Sequence, residues 1–401
     1  VPRDYWTQVI DIELPPIIRL ERQAGGVEAI NEAAKILSDS KFPVILSGAG
    51  VVIGGAINDC VKLAEKLDAP VCSGYQHNDS FPGSHPLAVG PLGYNGSKAA
   101  MELISKADVV LALGTRLNPF STLPGYGIDY WPKNAKIIQV DMNSDRIGLT
   151  KKVTVAICGD AKLVSQQLLS KLSPKAGDTD RQKRKDLIHQ TKSAWIQKLA
   201  SLDHEEDDPG TVWNKEARER DKDRMSPRQA WRAIQAGMPE DVIISSDIGN
   251  NCAIGNAYPT FEKGRKYLAP GLFGPCGYGF PAILGAKIGC PSTPVIGFAG
   301  DGAFGISMNE MSSCARKEWP AITMVIFRNY QWGAEKRNSI LWFDDNFVGT
   351  ELDPELSYAK VAVACGLKGV AVRTMEETTT AIKQSCEDQK KGITTFIEVI
   401  L

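Results

Sequence analysis

The sequence predicts an α/β protein with two tandem, open, mostly parallel sheets, on three observations. Short apolar runs recur through the first half, each followed by a helical periodicity. Parallel strands buried on both faces read as such unbroken runs, and the helices between them read as crossovers. A charge-rich stretch, 173–225, interrupts the pattern, which starts again beyond Ser226-Pro227. Finally, the apolar runs Pro294–Ala299 and Ile322–Phe327 are separated by enough chain for a crossover helix.

Residues 1–20 are proline-broken, with Pro15-Pro16 barring a helix, and read as an extended linker from something upstream. Val27, Ile30, Ala33, Ala34 and Leu37 share one helical face. The strand Pro43–Leu46 ends in Ser47-Gly48-Ala49-Gly50-Val51, and Ile57, Cys60, Val61, Leu63 and Ala64 mark the next helix. Further strands are expected at Ala69–Cys72, Val109–Gly114 and Lys136–Asp141, with helices from Ser97 and Ala161. The alternation predicts a first domain of Rossmann-like type over 21–172. The Gly48-Ala49-Gly50 turn has two readings: a phosphate seat at a helix start, or a packing turn. The full Gly-x-Gly-x-x-Gly spacing fails, because Gly54 comes one residue late. Asp141 is likewise either a ribose partner or an ordinary strand-end cap.

Over 173–225, Arg181, Lys183, Arg184 and Lys185 are balanced by Glu205, Glu206, Asp207 and Asp208, with helical pieces around Leu187, Ala194, Trp195 and Leu199. The stretch reads as a solvated connector. A second domain, 226–401, opens with Ser226 as a helix cap and Pro227 in the first turn. The strand Asp241–Ser246 runs into Asp247-Ile248-Gly249-Asn250-Asn251. The glycine-rich Pro270–Pro281 reads either as backbone closing on a ligand or as packing before a helix at Ala282–Ile288. A helix at Ser357–Cys365, a strand at Gly369–Val372, a helix at Glu376–Gln389 and a strand at Thr395–Ile400 complete the pattern.

Composition excludes some classes. The 401 residues carry a formal net charge of −1, which creates no field for nucleic acid or an acidic membrane. No apolar run has membrane-spanning length. The nine cysteines form no Cys-x-x-Cys pair, and none of the four histidines stands at zinc-ligand spacing from one. Cys72, Cys158, Cys290 and Cys365 lie in apolar sequence, so reduced core thiols and a cytoplasmic location are expected.

The chemistry concentrates at the ends of two strands. Gly300-Asp301-Gly302 closes the first apolar run of the pair, and Arg328-Asn329-Tyr330-Gln331 closes the second. A carboxylate and an amide oxygen side by side suit a hard cation such as Mg²⁺, which completes its shell with phosphate and water. Gly300 and Gly302 let backbone approach a phosphate. Alone, Gly-Asp-Gly is a common turn; the partner Asn329 gives it meaning.

Gly300-Asp301-Gly302, the 25 residues 303–327 and then Arg328-Asn329 resemble the thiamine-diphosphate signature, whose second half reads Asn-Asn. That resemblance implies that Asp301, Asn329 and the Gln331 carbonyl hold Mg²⁺ on the diphosphate; Arg328 replaces the first asparagine. The whole chain is similar to the last two thirds of a thiamine-diphosphate enzyme of the acetolactate-synthase type. Such enzymes have pyrimidine-binding, central and diphosphate-binding domains, and the first is expected to be missing here save a last strand at Val1–Asp4. Phe42–Gly48, His77–Pro82, Gly90–Tyr94, Phe273–Pro281 and Phe347–Asp353 most resemble the sulfoacetaldehyde acetyltransferases within that group.

The resemblance implies the rest of the site. Asn250 and Asn251 touch the diphosphate, and Gly300, Gly302 and Ala303 bring backbone to it. Gly274, Cys276 and Tyr278 lie about the cofactor, Cys276 where many relatives carry methionine. The activating glutamate belongs to the missing domain, so no catalytic residue is assigned, and this piece is expected to bind cofactor without turnover. The implied reaction takes sulfoacetaldehyde and phosphate to acetyl phosphate and sulfite, with Arg328, Lys336 and Arg337 as candidate donors to the anions. A homodimer or homotetramer is implied. Three alternatives stay open: a decarboxylating 2-oxo-acid relative, a flavin or nicotinamide oxidoreductase, and a non-catalytic nucleotide-binding subunit.

Overall fold

Unbroken apolar runs become central strands. In the computed structural model, which describes residues 2–18, 21–93, 95–172, 180–202, 224–271, 273–316, 318–343, 346 and 348–401, two six-stranded sheets stand in tandem. The first contains β1 (Pro43–Ser47), β2 (Val71–Ser73), β3 (Ala88–Pro91), β4 (Val109–Leu113), β5 (Lys136–Asp141) and β6 (Val155–Cys158). All pair in parallel, in the order β3-β2-β1-β4-β5-β6. The chain leaves β1 toward β2 and later returns to its other side with β4, so a crevice opens between β1 and β4.

The second sheet contains β7 (Ile243–Ser246), β8 (Tyr267–Leu268), β9 (Val295–Gly300), β10 (Thr323–Arg328), β11 (Lys368–Val372) and β12 (Thr395–Ile400). They too are parallel, in the order β11-β12-β10-β9-β7-β8. Alternation along each strand divides the core between two faces. Ile296, Phe298, Val325 and Phe327 pack on one side with Trp231, while Val295, Met324, Ile326 and Phe396 pack on the other with Phe280 and Phe304. The order switches between β7 and β9, which puts the second crevice at their carboxyl ends.

The caps follow the sequence. Ser226 accepts from the Gln229 backbone, the Gln229 side chain accepts from the Ser226 N–H, and Pro227 opens the helix Pro227–Gly237. Three expectations need correction, the first being the strand at Val1–Asp4, whose Arg3 and Asp4 lie in a 3-10 helix, Arg3–Thr7. Asp180–Leu202 is one continuous helix rather than helical pieces, exposed along most of its length. Its Ile188 and Trp195 are buried, and Arg181 and Lys185 both pair with Asp68 of the first sheet's helical layer. The rest of that expectation, including Glu205 to Asp208, lies outside the described residues, as do Tyr94 and Phe347. Cys158 and Cys290 are exposed, not core thiols: Cys158 points outward from edge strand β6, and Cys290 follows a helix end.

Segment 76–84 of the first sheet's domain is stitched to 256–267 of the second. Asn78 Nδ2 donates to the Asn256 and Pro259 carbonyls at 2.9 and 2.8 Å, and buried Asp79 accepts from the Lys266 and Tyr267 N–H groups. Burial raises the Asp79 carboxyl pKa against the pull of these bonds. Asn78→Ala leaves two carbonyls bare at this seam. It is expected to lower stability by about 1–3 kcal/mol and to separate the unfolding of the two sheets in urea. A single unshifted transition would place the seam's strength elsewhere.

Candidate cofactor site at the edge of the second sheet

Phe327 faces Gly300 in the parallel register, so β9 and β10 release Asp301 and Asn329 at the same sheet edge. Asp301 starts the helix Asp301–Ser307 and is 1% exposed. Beyond β10 the backbone turns sharply at Tyr330, whose φ of 59° is uncommon for a residue with a side chain. The turn is pinned from outside. Trp332 N–H donates to Thr350 at 2.7 Å, Leu352 N–H donates to Tyr330 at 2.9 Å, and Gln331 bridges Glu351 antiparallel.

This geometry gathers three oxygens. The Asn329 amide oxygen lies 3.1 Å from Asp301 Oδ1 and 3.2 Å from the Gln331 backbone oxygen. If the amide is turned over, its nitrogen donates to both. The turned orientation satisfies both neighbours in the metal-free chain; with a cation bound, the Asn329 oxygen would face it beside Asp301 Oδ1 and the Gln331 carbonyl. A carboxylate, an amide and a peptide carbonyl are hard ligands, few in number, as Mg²⁺ prefers. The residues present fit that ion. Burial pushes the Asp301 carboxyl up to about 6, against the opposing pull of Arg328. Among the described residues no group of three His, Cys, Asp and Glu side chains is arranged to hold a metal.

Glycines keep the cradle open. A Cβ on Gly302 would meet the Trp332 indole at 2.8 Å. One on Gly333 would lie 3.0 Å from the Asn329 amide nitrogen and 3.7 Å from that of Asn250, which places Asn250 beside the three oxygens. Asn250 begins the helix Asn250–Gly255, entered through Gly249 at φ 134°. Asn251 is buried behind it, with its carbonyl accepting from Trp231 Nε1 at 2.6 Å.

The glycine-rich loop is held by a residue the sequence reading passed over. Asp247, 1% exposed at the end of β7, accepts from the N–H groups of Ile248, Gly277 and Gly279 at 2.8, 3.0 and 2.7 Å. An acid closing an apolar strand, with Ile248-Gly249-Asn250-Asn251 directly after it, was the available signal. Gly274 and Gly277 take positive φ, and Gly277 packs on Ile306 of the Asp301 helix, so the loop carrying Cys276 and Tyr278 borders the same site. Burial, then the Asp247 carboxylate, raises the Cys276 thiol, and burial raises Tyr278. Cys276 therefore offers the site a neutral, soft side chain. Leu272 lies outside the described residues.

The anion-donor expectation fails at Arg328. Arg328 is 0% exposed. Its guanidinium donates to Asp301 Oδ2 at 3.0 Å and to the carbonyls of Asp353 and Leu356, and lies 4.3 Å from the Tyr330 ring centre. A group so enclosed reaches no substrate. Lys336 is buried and paired with Glu351, and Arg337 is half-buried and also engaged.

In the first sheet, a cavity of about 600 Å³ opens at the strand ends, lined in part by Gly50, Gly54, Arg116, Asp141 and Arg146. Asp141 accepts from the Asn143 N–H at 2.9 Å, as a strand-end cap does. A Cβ on Gly50 would meet Gly114 Cα at 2.7 Å, so packing alone requires that glycine. Both readings of the Gly48-Ala49-Gly50 turn have a structural counterpart.

Comparison with known proteins decides the family. A sequence model of the thiamine pyrophosphate enzyme central domain matches residues 30–168, and one of the C-terminal TPP binding domain matches 247–399. The chain belongs to the thiamine pyrophosphate enzymes. It is 75% identical over its whole length to the "Probable sulfoacetaldehyde acetyltransferase" of Rhizobium meliloti (strain 1021), covering 68% of that protein. To the sulfoacetaldehyde acetyltransferases of Roseovarius nubinhibens and Castellaniella defragrans it is 72% and 47% identical, covering 66% and 67% of them. The chain thus spans about two thirds of the length of these relatives. The acetolactate synthase large subunit of Buchnera aphidicola is 27% identical over 375 residues. The match to the C-terminal TPP binding domain spans Asn250, Cys276, Asp301 and Asn329.

Proposed function

We propose that this chain serves a thiamine-diphosphate-dependent acetyltransferase that converts sulfoacetaldehyde and phosphate to acetyl phosphate and sulfite. The observation that carries the cofactor half of this reading is the convergence of the Asp301 carboxylate and the Gln331 carbonyl on the Asn329 side-chain amide, at 3.1 and 3.2 Å. The substrate half rests on relatives 75% and 72% identical along the whole chain, against 27% for the acetolactate synthase relative. Bound thiamine diphosphate supplies the nucleophilic carbon and electron sink for the aldehyde.

The chain's own residues then have defined tasks. Asp301, Asn329 and the Gln331 carbonyl hold Mg²⁺. The Gly302 N–H is given to Asp301 Oδ1, so the Ala303 N–H at the helix start would be the backbone donor to the diphosphate, with Asn250 on the β7 side. Cys276 supports the cofactor from the loop fixed by Asp247. The sheet edge holds these groups ready, so binding energy is not consumed in assembling them. The division into a central domain over 21–172 and a diphosphate domain over 226–401 belongs to this reading. So do at least a homodimer and a cytoplasmic location. No helix among the described residues is long and apolar enough to cross a membrane.

Donor competition in the full-length protein tests the reaction. Sulfite and acetyl phosphate should appear together from sulfoacetaldehyde, only with phosphate and Mg²⁺ present. Carbon dioxide release from a 2-oxo acid at a higher kcat/KM would transfer the assignment to the decarboxylating class.

A further inference from the structure

We infer that Arg328 is a positioning residue that restricts Asp301 to a single metal-facing oxygen and thereby sets the cation preference of the site. The inference rests on the reading that Asp301, Asn329 and Gln331 hold a divalent cation, and it deepens that reading.

Arg328 ends β10, the central strand between β9 and β12, and is wholly enclosed. Its ring of partners comes from four places in the chain. NH1 donates to Asp301 Oδ2 at 3.0 Å, and NH2 donates to the carbonyls of Asp353 and Leu356. Nε lies 3.5 Å from Glu398 Oε1. The guanidinium carbon stands 4.3 Å from the Tyr330 ring centre and 5.4 Å from that of Tyr358. Its second carboxylate is fixed in turn, since Glu398 accepts from the Ser357 hydroxyl at 2.6 Å and from the Ala359 N–H at 3.2 Å. The Tyr358 hydroxyl donates to the Asp301 carbonyl at 2.9 Å. Side chain and backbone of Asp301 are thus both tied to this cluster.

The two oxygens of Asp301 are thereby made unequal. Oδ2 takes Arg328 NH1 at 3.0 Å and the Tyr330 N–H at 2.7 Å. Oδ1 accepts the Gly302 N–H at 3.0 Å and lies 3.1 Å from the Asn329 side-chain amide, which also reaches the Gln331 carbonyl at 3.2 Å. A carboxylate held in this way meets a cation through one oxygen. Mg²⁺ demands a compact octahedron and suits such a ligand, whereas Ca²⁺ accepts a wider shell and bidentate carboxylates. A fork is required to reach Asp301 and the two carbonyls together, so lysine is no substitute.

The test uses thiamine diphosphate binding to the full-length protein by titration calorimetry, with Mg²⁺ or Ca²⁺ as the only divalent ion. Arg328→Met should weaken Mg²⁺-supported binding about tenfold or more and Ca²⁺-supported binding about threefold or less, lowering the Mg²⁺/Ca²⁺ preference at least about threefold. Equal weakening with both ions, or none with either, would assign Arg328 a purely structural role and overturn the inference. If the methionine variant does not fold, the same ratio is read on Arg328→Lys, which keeps the charge and loses the fork. A wild-type protein that binds the cofactor without any divalent ion would refute the metal reading itself, an outcome distinct from an unchanged ratio.

Discussion

Asp301→Asn is expected to abolish Mg²⁺-supported binding of thiamine diphosphate while leaving the metal-free protein folded. The change keeps the shape and an oxygen to accept from Arg328 and Tyr330, but it removes the charge that the cation needs. Replacing groups that merely orient metal ligands weakens affinity about 10–100-fold, so losing the only carboxylate of the set should exceed that range. Asp301→Ala should differ. It leaves the fully buried Arg328 without its 3.0 Å partner, which costs about 3–5 kcal/mol when a buried ion pair is broken from one side. The wild-type carboxyl has a pKa of about 6 in the fold, against an ordinary 3.8. The metal-free fold therefore binds this proton more tightly than the unfolded chain does. Its stability should gain as pH falls from about 6 toward 3.8, a dependence that the asparagine variant lacks. Calorimetric titrations and thermal melts on both variants check these outcomes. Retained Mg²⁺-supported affinity in Asp301→Asn would remove Asp301 from the metal site.

Most of the legible strands were those buried on both faces; edge strand β11, expected at Gly369–Val372, is the exception. β4, β5, β9, β10 and β12 lie inside their sheets and show as apolar runs. β3, β6 and β8 are edge strands or nearly featureless: β6 alternates buried and exposed residues, and β8 has only two residues. Asp301 and Asn329 could be found because strand ends and spacing are local properties. Arg328 could not be read correctly, because what encloses it comes from Asp353, Leu356, Tyr358 and Glu398, 25 to 70 residues further on. A charge closing a strand looks like a solvent-facing donor until those later segments fold over it. The clamp on Gln331 by 350–352 is equally non-local. For His77–Pro82 the sequence offered likeness to relatives but no role; Asn78 and Asp79 prove to join the two sheets' domains.

Trp231→Ala is expected to be the most destabilising single change in the second sheet and to weaken cofactor binding from a distance. Trp231 lies on the helix Pro227–Gly237, is 1% exposed, and has its ring 4.7 Å from Phe298 on β9 and 5.3 Å from Phe327 on β10. Those are the strands that end in Asp301 and Asn329. Its Nε1 donates to the Asn251 carbonyl at 2.6 Å, and Gly255 lies so close that a Cβ there would meet the indole at 2.2 Å. One side chain thus supports both strand ends and the helix bearing Asn250. Removing it leaves a cavity beneath all three, costing about 3–5 kcal/mol for a buried tryptophan. Trp231→Phe separates the two contributions. It keeps most of the apolar volume but strips the Asn251 carbonyl of its donor, for about 1–3 kcal/mol. Because that bond fixes the Asn250–Gly255 helix, the phenylalanine variant should lose thiamine diphosphate affinity out of proportion to its loss in stability. Urea unfolding and titration calorimetry on the two variants measure both quantities. If the phenylalanine variant binds cofactor as the wild type does, the helix is held by packing against the strands, and the indole N–H bond has no part in positioning Asn250.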